Sequence, residues 1–554
     1  MTDHTPNFRA LARRLFPNGT NAGVRELRIP EWPPDLFAFA ATAAEHHGIY
    51  AEMPFTAGWI GDGYRFKEDY IEDVKRLCNV WFQNAAPPTK IVQAWNRLLR
   101  LGKRPGLYDW RGDVMLLLVV ADAVCEGVGF DLDNEAPQLY ARAVFSELLH
   151  LQKGEARDLP LSLPSSLCWM VPPTEACVQP KTNTPKVGCT LRSMTHYLAL
   201  LPPIGVVNTS WIYAAPASSP SANLNVLLIP FPYRIDASDF TATAHCVDRD
   251  NLFFGVRQGW LSKDGGRASA DDIKQLLLAL IDAAQREAET VHALVLPELA
   301  LDGTQVDEVA RLLAGAKPRL ELFVTGVLDR FDNDRFQNSA YTACLLGGEV
   351  VQSWRQPKHH RWRLEAGQIK RYNLGFALDP ERIWWEQIDV SSRSCAFTVV
   401  RPGASFATLV CEDLARSDPV MPVINAVGPN LLVALLMDGP QWERRWPGRY
   451  ATVLADDPGT SVLTLTSIGM IDRSANPGQA PPRQIALWKQ ASEEAKELTL
   501  PAGDHALLLS LTMAPDTQLT LDRRSDGGEG CQFKLSGVRG IRLLKDKFPA
   551  WIGI

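Results

Sequence analysis

The sequence predicts an α+β protein in two parts, a mostly α-helical body followed by a mixed α/β body. Three observations carry this reading. Apolar residues recur at helical spacing through much of residues 1–200. From Leu224 onward, short continuous apolar runs of strand length alternate with helical stripes. Between the two, Ala214–Asn223 is rich in Ala, Ser and Pro and reads as a linker. The expected division is therefore a helical domain of unknown role over 1–200, a linker over 201–223, an α/β domain over 224–513 and an extension over 514–554. A chain of 554 residues has room for several domains at about 150 residues each.

In the helical part, Tyr70, Ile71, Val74, Leu77, Cys78 and Trp81 form one stripe of an amphipathic helix. Ile91, Trp95, Leu98 and Leu99 form a second stripe after the Pro87-Pro88 break, and Val114–Val128 is apolar on most sides, as a buried helix would be. Pro137 opens a fourth helix carrying Leu139, Tyr140, Val144 and Leu148. In the second part, Leu224–Ile229 reads as a buried strand. Ser269, with Asp272 three residues on, caps a helix whose face is Ile273, Leu276, Leu277, Leu280 and Ala284. Strands are expected at Ala293–Leu296 and Leu320–Leu328, with a helix at Val306–Leu313 between them. Asn338–Trp354 reads as a hairpin turning at Gly347-Gly348. Further strands fall at Ala407–Val410, Leu431–Leu436, Ser461–Ser467, Gln484–Trp488 and His505–Leu511.

Composition excludes several classes. With 46% hydrophobic and 22% charged residues the chain has a normal globular balance, so wholesale disorder is ruled out. Lys plus Arg is 57 against 63 Asp plus Glu, a net charge of −6, which disfavours a generally basic nucleic-acid binder. No apolar run reaches the roughly 18 residues that span a bilayer, and Met1–Asn18 has no apolar h-region. Ten Cys without framework spacing suit a cytoplasmic protein with reduced thiols.

Three segments concentrate reactive side chains. Leu294-Val-Leu-Pro-Glu298 is an apolar strand ending in Pro-Glu, Trp354-Arg-Gln-Pro-Lys358 closes the hairpin, and Ala407-Thr-Leu-Val-Cys411-Glu-Asp413 is an apolar strand ending in Cys. Active sites of layered α/β proteins lie at such C-terminal strand ends. The set is complete for thiol acyl transfer: a thiol, a carboxylate that a cation and shelter can tune as its base, and an ammonium to hold an oxyanion. No His is needed as base, and none sits near Cys411 in sequence.

At these residues the sequence resembles the nitrilase superfamily, the carbon–nitrogen hydrolases. Asn338-Ser-Ala before the Gly347-Gly348 turn, Arg449-Tyr-Ala451, Ser467-Ile-Gly469 and Gln484-Ile-Ala-Leu-Trp488 extend the likeness over about Leu224 to Thr512. The resemblance implies an α-β-β-α sandwich, a Glu-Lys-Cys triad of Glu298, Lys358 and Cys411, and a second Glu that positions the Lys and the attacking water. Glu365, seven residues beyond Lys358, is the candidate for that role. It further implies an amide or nitrile as small-molecule substrate, with amides favoured, and a homodimer or larger oligomer. Glu412 directly after the Cys departs from the aromatic or small residue common there.

Competing readings exist for several residues. Asp413 reads as a structural cap or turn residue. Cys168, Cys177, Cys189 and His196 lack the tight C-x2-C knuckle of a zinc site, and no metal is expected. Of the adjacent His359 and His360, one is expected to be structural, because neighbours in a strand face opposite ways. The basic residues Arg355, Lys358, Arg361, Arg363, Lys370 and Arg371 read as a solvated rim more than an anion site. Without a Walker A or G-x-G-x-x-G sequence, no nucleotide cofactor is expected. The rival to a hydrolase is a nitrilase-like scaffold whose helical domain recruits a protein partner. Nitrilase-like domains do occur joined to unrelated modules, including defence-associated reverse transcriptases in bacteria. No polymerase accompanies this one, since Ala455-Asp-Asp457 sits inside the α/β region.

Overall fold

A computed structural model describes residues 7–17, 27–51, 68–101, 110–126, 165–212, 223–246, 251–331, 335–401, 403–476, 478–528, 530–544 and 547–552. The expected helix at Pro137 and nearly all of the linker Ala214–Asn223 lie outside them. The chain is mixed helix and strand, as an α+β protein is.

The helical stripes form helices Glu68–Asn84, Thr89–Arg100 and Trp110–Ala123, joined by Phe8–Leu15 and Pro33–His47. Their apolar faces close one core around Phe37, Phe39, Trp81, Trp95 and Leu117, all essentially inaccessible to water. Burying such large side chains stabilises by roughly 1.5–3 kcal/mol each. Helix Pro33–His47 ends on Gly48 at φ +60, where a residue without a Cβ adopts the left-handed conformation at no cost.

The second part is built on two large sheets. One runs in the order Glu349–Pro357, Arg335–Leu346, Leu322–Phe331, Ala293–Val295, Asn223–Leu228, Ala506–Pro515 and Cys531–Ile541. The other runs Lys496–Thr499, Gln484–Lys489, Ser461–Thr466, Leu431–Leu436, Ala404–Val410, Ser394–Arg401 and Asn208–Ile212. The innermost strands of each are parallel, and Ala293–Val295 and Leu431–Leu436 among them read as unbroken apolar runs, because both their faces are covered. The two sheets share one apolar core and touch directly. Ala396 N donates to Gln356 Oε1 at 2.9 Å, and Ser461 Oγ donates to the Phe533 carbonyl at 2.9 Å. Helix Val306–Ala316 packs on the first sheet and on helix Ala270–Ala284, which carries the reciprocal Ser269–Asp272 cap; helix Trp446–Asp456 packs on the second sheet.

The structure moves two expected boundaries. Residues 201–223 are not all connection, since Asn208–Ile212 pairs in parallel with Ser394–Arg401 at the sheet edge. Residues 514–554 are not a simple extension, since Cys531–Ile541 pairs along its length with Ala506–Pro515. Both strands are short or mixed in polarity, as suits strands that lie last in their sheets among the described residues. The helical part also contains a strand pair, Cys177–Pro180 with Leu198–Leu201.

A smaller sheet joins Arg363–Leu364, Ile383–Glu386, Asn251–Val256 and Phe240–Cys246. Its core of Phe254, Trp362, Ile369, Tyr372 and Trp384 also takes in Leu299, Leu328 and Met437, so it sits over the strand ends that carry the candidate residues.

Polar contacts tie the helical part to the rest. Asp122 accepts from the backbone N–H groups of His196, Tyr197 and Leu198 at 2.8, 3.0 and 2.9 Å and faces Arg524 at 3.6 Å. His196 bridges Thr184 Oγ1 and the Arg524 carbonyl, both at 2.9 Å.

Candidate active site

Lys358 follows the last strand of the hairpin. Its backbone N–H donates to the Asn338 carbonyl at 2.8 Å, which fixes where its side chain begins. Nζ then donates to Glu298 Oε1 at 2.9 Å and to Glu386 Oε2 at 2.7 Å. Asn338 Nδ2 bridges the same carboxylates, to Glu298 Oε1 at 2.7 Å and Glu386 Oε1 at 2.9 Å. The three charged side chains are 1–4% exposed. A buried charge persists only when paired and hydrogen-bonded, and here each has charged partners.

Glu298 is placed by a close approach of two backbones. Gly326 N donates to the Pro297 carbonyl at 3.0 Å, and a Cβ on Gly326 would stand 2.4 Å from Glu298 Cα. Only glycine leaves room there. Leu299 then turns at φ +58. Glu298 Oε2 is buried and has no hydrogen-bond partner among the described residues, which leaves that oxygen free to take a proton.

Cys411 ends the strand Ala404–Val410 and opens the short helix Cys411–Ala415, at φ +44. A side chain with a Cβ pays about 1–2 kcal/mol for that conformation, and such strain clusters at functional positions. The charges of Glu298 and Lys358 both act on the Cys411 thiol. Burial pushes the thiol well above its usual range; Glu298 adds to the rise and Lys358 opposes it. Burial likewise raises Glu298, helped by Glu386 and opposed by Lys358. Burial works against the Lys358 ammonium, but Glu298 and Glu386 outweigh it and hold Lys358 well above its ordinary value. The thiol and the Glu298 carboxyl are thus both shifted toward their protonated forms, and Lys358 toward its charged form.

Glu365 is not part of this cluster. It caps helix Ala366–Arg371, is half exposed and pairs with Arg363. The carboxylate on Lys358 is instead Glu386, 28 residues downstream, at the end of strand Ile383–Glu386. Glu386 Oε2 also accepts the Trp362 N–H at 3.0 Å. A sequence signal for it exists: Ile383-Trp-Trp-Glu386 is an apolar strand closed by a carboxylate, the same grammar as the segments ending in Glu298 and Cys411. Proximity to Lys358 along the chain favoured Glu365, but the helix and loop between them fold back and bring the later residue in.

The residues around the cluster have definite partners. Asp413 accepts the His359 N–H, His359 Nδ1 and His360 Nδ1 at 3.0–3.1 Å. Both histidines therefore face one carboxylate, because the chain has left the strand at Pro357 and the alternation no longer applies. Burial would raise Asp413, but these bonds outweigh it and hold it below the usual range. Glu412 pairs with Arg416 at 2.7 Å. Arg355 is engaged by Asp307 and Asp329, and Arg361 by the Glu386 carbonyl. The Cys168 and Cys177 thiols donate to the Pro34 and Pro173 carbonyls, and both His196 ring nitrogens are taken, so these side chains point to separate partners.

A cavity of about 60 Å³ opens beside Cys411, walled by Trp362, Tyr372, Met437, Asp438 and Trp446.

No protein-family model matches the chain, and no curated protein matches it in sequence. Solved structures similar to it include a glutamine-dependent NAD+ synthetase from Acinetobacter baumannii (13% identity, TM-score 0.31), matched over 52% of this chain and 45% of that one. The chain thus spans less than half of that enzyme's length. An amidase from Nesterenkonia sp. (15% identity, TM-score 0.32) is matched over 52% of this chain and 90% of its own. Saccharomyces cerevisiae Nit3, a member of branch 10 of the nitrilase superfamily (11% identity, TM-score 0.27), is matched over 59% and 93%.

Proposed function

We propose that the chain is a thiol-dependent carbon–nitrogen hydrolase of nitrilase type, acting on an amide more readily than on a nitrile. In this reading its two large sheets and their outer helices form an α-β-β-α sandwich, and the helical residues before about 200 are an appended domain. The observation that supports it most is Lys358, buried and held by two carboxylates of which one, Glu298, keeps an oxygen free beside a strained, buried Cys411.

The chemistry follows from those positions. Glu298 Oε2 takes the proton of the Cys411 thiol as the sulfur forms a bond to the amide carbon, and the carbonyl electrons move onto oxygen. Lys358 Nζ and the backbone N–H of Glu412 hold that oxyanion. The intermediate collapses, the C–N bond breaks, and the leaving nitrogen takes the proton from Glu298, so ammonia or an amine departs and a thioester remains. Water then attacks the thioester, giving its proton to Glu298. The tetrahedral species expels the sulfur, the proton returns to Cys411, and a carboxylic acid leaves. Glu386 touches no reacting atom in this scheme; it positions Lys358 and neutralises part of its charge.

Ammonia release from a panel of small amides tests this. Wild-type protein should release ammonia, and mass spectrometry after an acid quench should find the acyl adduct on Cys411. Cys411→Ala should lose activity by about a thousandfold or more, since no covalent intermediate can form. A Cys411 that never acylates, with no ammonia from any amide, would leave only a scaffold role.

A further inference from the structure

Asn338 stands between the two carboxylates of the site and takes no part in the hydrolytic steps. It lies on strand Arg335–Leu346, opposite Leu328 of the neighbouring strand, and is 0% exposed. Its backbone carbonyl accepts the Lys358 N–H at 2.8 Å, and its Nδ2 donates to Glu298 Oε1 at 2.7 Å and to Glu386 Oε1 at 2.9 Å. An amide nitrogen has two hydrogens, and here it meets two carboxylates. The reverse orientation would put the amide oxygen at those distances from two negative charges, so the neighbours fix which way the amide points. On its other side, Asn338 Oδ1 is buried with no partner among the described residues. A buried polar atom without a partner is destabilising, so an amide kept in this state is kept for the carboxylates it donates to.

Charge explains the need for it. Glu298 and Glu386 are two buried carboxylates around one buried ammonium, Lys358. With that cation alone between them, one carboxylate is pushed toward its protonated form. The titratable groups that interact with Glu298 are Lys358, Glu386 and the Cys411 thiol. Burial and Glu386 raise Glu298, while Lys358 and the Asn338 hydrogen bond lower it. A neutral donor suits this place. A second Lys or Arg would hold Glu298 so firmly ionised that it would lose its basicity, and an apolar side chain would leave Oε1 to Lys358 alone.

Resting on the hydrolase reading, we propose that Asn338 is a positioning residue of the reaction, whose amide holds Glu298 and Glu386 together around Lys358 and so presents Glu298 as the base for Cys411. It acts through Glu298: it touches no reacting atom and is not among the residues that wall the cavity beside Cys411. Its loss therefore acts on the rate and on the pH at which Glu298 ionises, and leaves substrate affinity alone.

Asn338→Leu, close in size and without a donor, tests the proposal. Asn338→Ala is the second variant, smaller and equally without a donor, and circular dichroism checks that each folds. Two readouts are taken across pH. One is kcat/KM for an amide that the wild type hydrolyses. The other needs no turnover: the rate at which iodoacetamide alkylates Cys411, followed by mass spectrometry, with its acid inflection assigned to Glu298 by its absence in Glu298→Gln. With the amide gone, Glu298 keeps its proton to higher pH. The acid limb and the inflection should both move up by about one pH unit, the scale of one charge-assisted hydrogen bond. At the plateau kcat should fall by about tenfold or more, with KM within about twofold of wild type. A limb and an inflection that stay in place while ammonia is still released overturn the proposal and leave the hydrolase standing, as does a loss confined to KM. An inflection that moves up when the wild type releases ammonia from no amide overturns the hydrolase and keeps Asn338 as the residue that sets Glu298 against Cys411. Absence of both turnover and shift overturns both.

Discussion

Lys358 is the cation on which the site turns, because its ammonium, with the Asn338 amide, contacts both buried carboxylates. Glu386 adds to the upward shift of Glu298, which in the proposed mechanism must be ionised to accept the thiol proton. The acid limb of kcat/KM is therefore expected above the ordinary glutamate value of 4.5, lost as pH falls through the raised pKa. Glu386→Gln removes a negative charge beside Glu298, so its acid limb should move to lower pH. Its kcat should also fall by about a hundredfold, as Lys358 loses its second anchor and the oxyanion a well-placed donor. A lower kcat with the limb unmoved would mean that Glu386 acts on packing alone. Glu365→Ala is the contrasting variant. Among the described residues its carboxylate meets Arg363 and a helix cap near the surface. Removing it should leave kcat/KM unchanged and cost stability by about 0.5–1 kcal/mol in a urea titration; a hundredfold loss of activity would return Glu365 to the site.

At the scale of elements, the parallel strand Ala293–Val295 delivers Glu298, the hairpin delivers Lys358, the strand Ala404–Val410 delivers Cys411, and the small sheet delivers Glu386. Their convergence depends on how closely strand Leu322–Phe331 can approach the Pro297–Leu299 segment. Gly326→Ala places a methyl 2.4 Å from Glu298 Cα and Leu299 N and 2.5 Å from the Pro297 oxygen, all backbone atoms that cannot swing aside. The variant is expected to lose about 1–3 kcal/mol of stability, read as a lower Tm, and to lose activity with it because Glu298 is pushed off Lys358. Full activity at an unchanged Tm would show that the strand yields freely. Legibility differed among these elements for a physical reason. Runs such as Leu431–Leu436 are apolar throughout because covered central strands exclude polar side chains. Asn251–Val256 belongs to the small sheet, where Leu252 and Phe253 are only part-buried, and its periodicity is faint.

At the scale of the whole molecule, the helical part and the two-sheet part meet through buried polar groups. Burial, reinforced by Arg524, lowers the His196 pKa from 6.5 to about 4. Below pH 6.5 the unfolded chain binds the proton that the folded chain refuses, so stability rises with pH between about 4 and 6.5 and is lost on acidification through that window. The full difference corresponds to roughly 3 kcal/mol. His196→Asn should flatten the pH dependence of the urea midpoint between pH 6.5 and 4 relative to wild type; parallel curves would show that His196 titrates normally. Assembly also belongs to this scale. The proposed nitrilase-type reading carries the expectation of a two-fold pair, and a C2 pair is the commonest closed assembly. Light scattering at micromolar concentration is expected to give a dimer or a larger oligomer, and a monomeric mass would contradict that expectation.

The amino-acid sequence by itself determined the helical stripes, the buried central strands, and the three strand-end residues Glu298, Lys358 and Cys411. Those features are local: a 3.6-residue or unbroken apolar pattern and a reactive residue closing it are both written within a dozen positions. Tertiary structure alone decided what stands opposite Lys358. Glu365 and Glu386 are both carboxylates downstream of it, and only the pairing of Ile383–Glu386 with Asn251–Val256, strands more than a hundred residues apart, brings the second one in and leaves the first in solvent. The strained turn at Cys411, the glycine contact behind Glu298 and the Asn338 amide between its two carboxylates are of the same kind. Each arises from segments distant in sequence packing against one another, and no window along the chain records that.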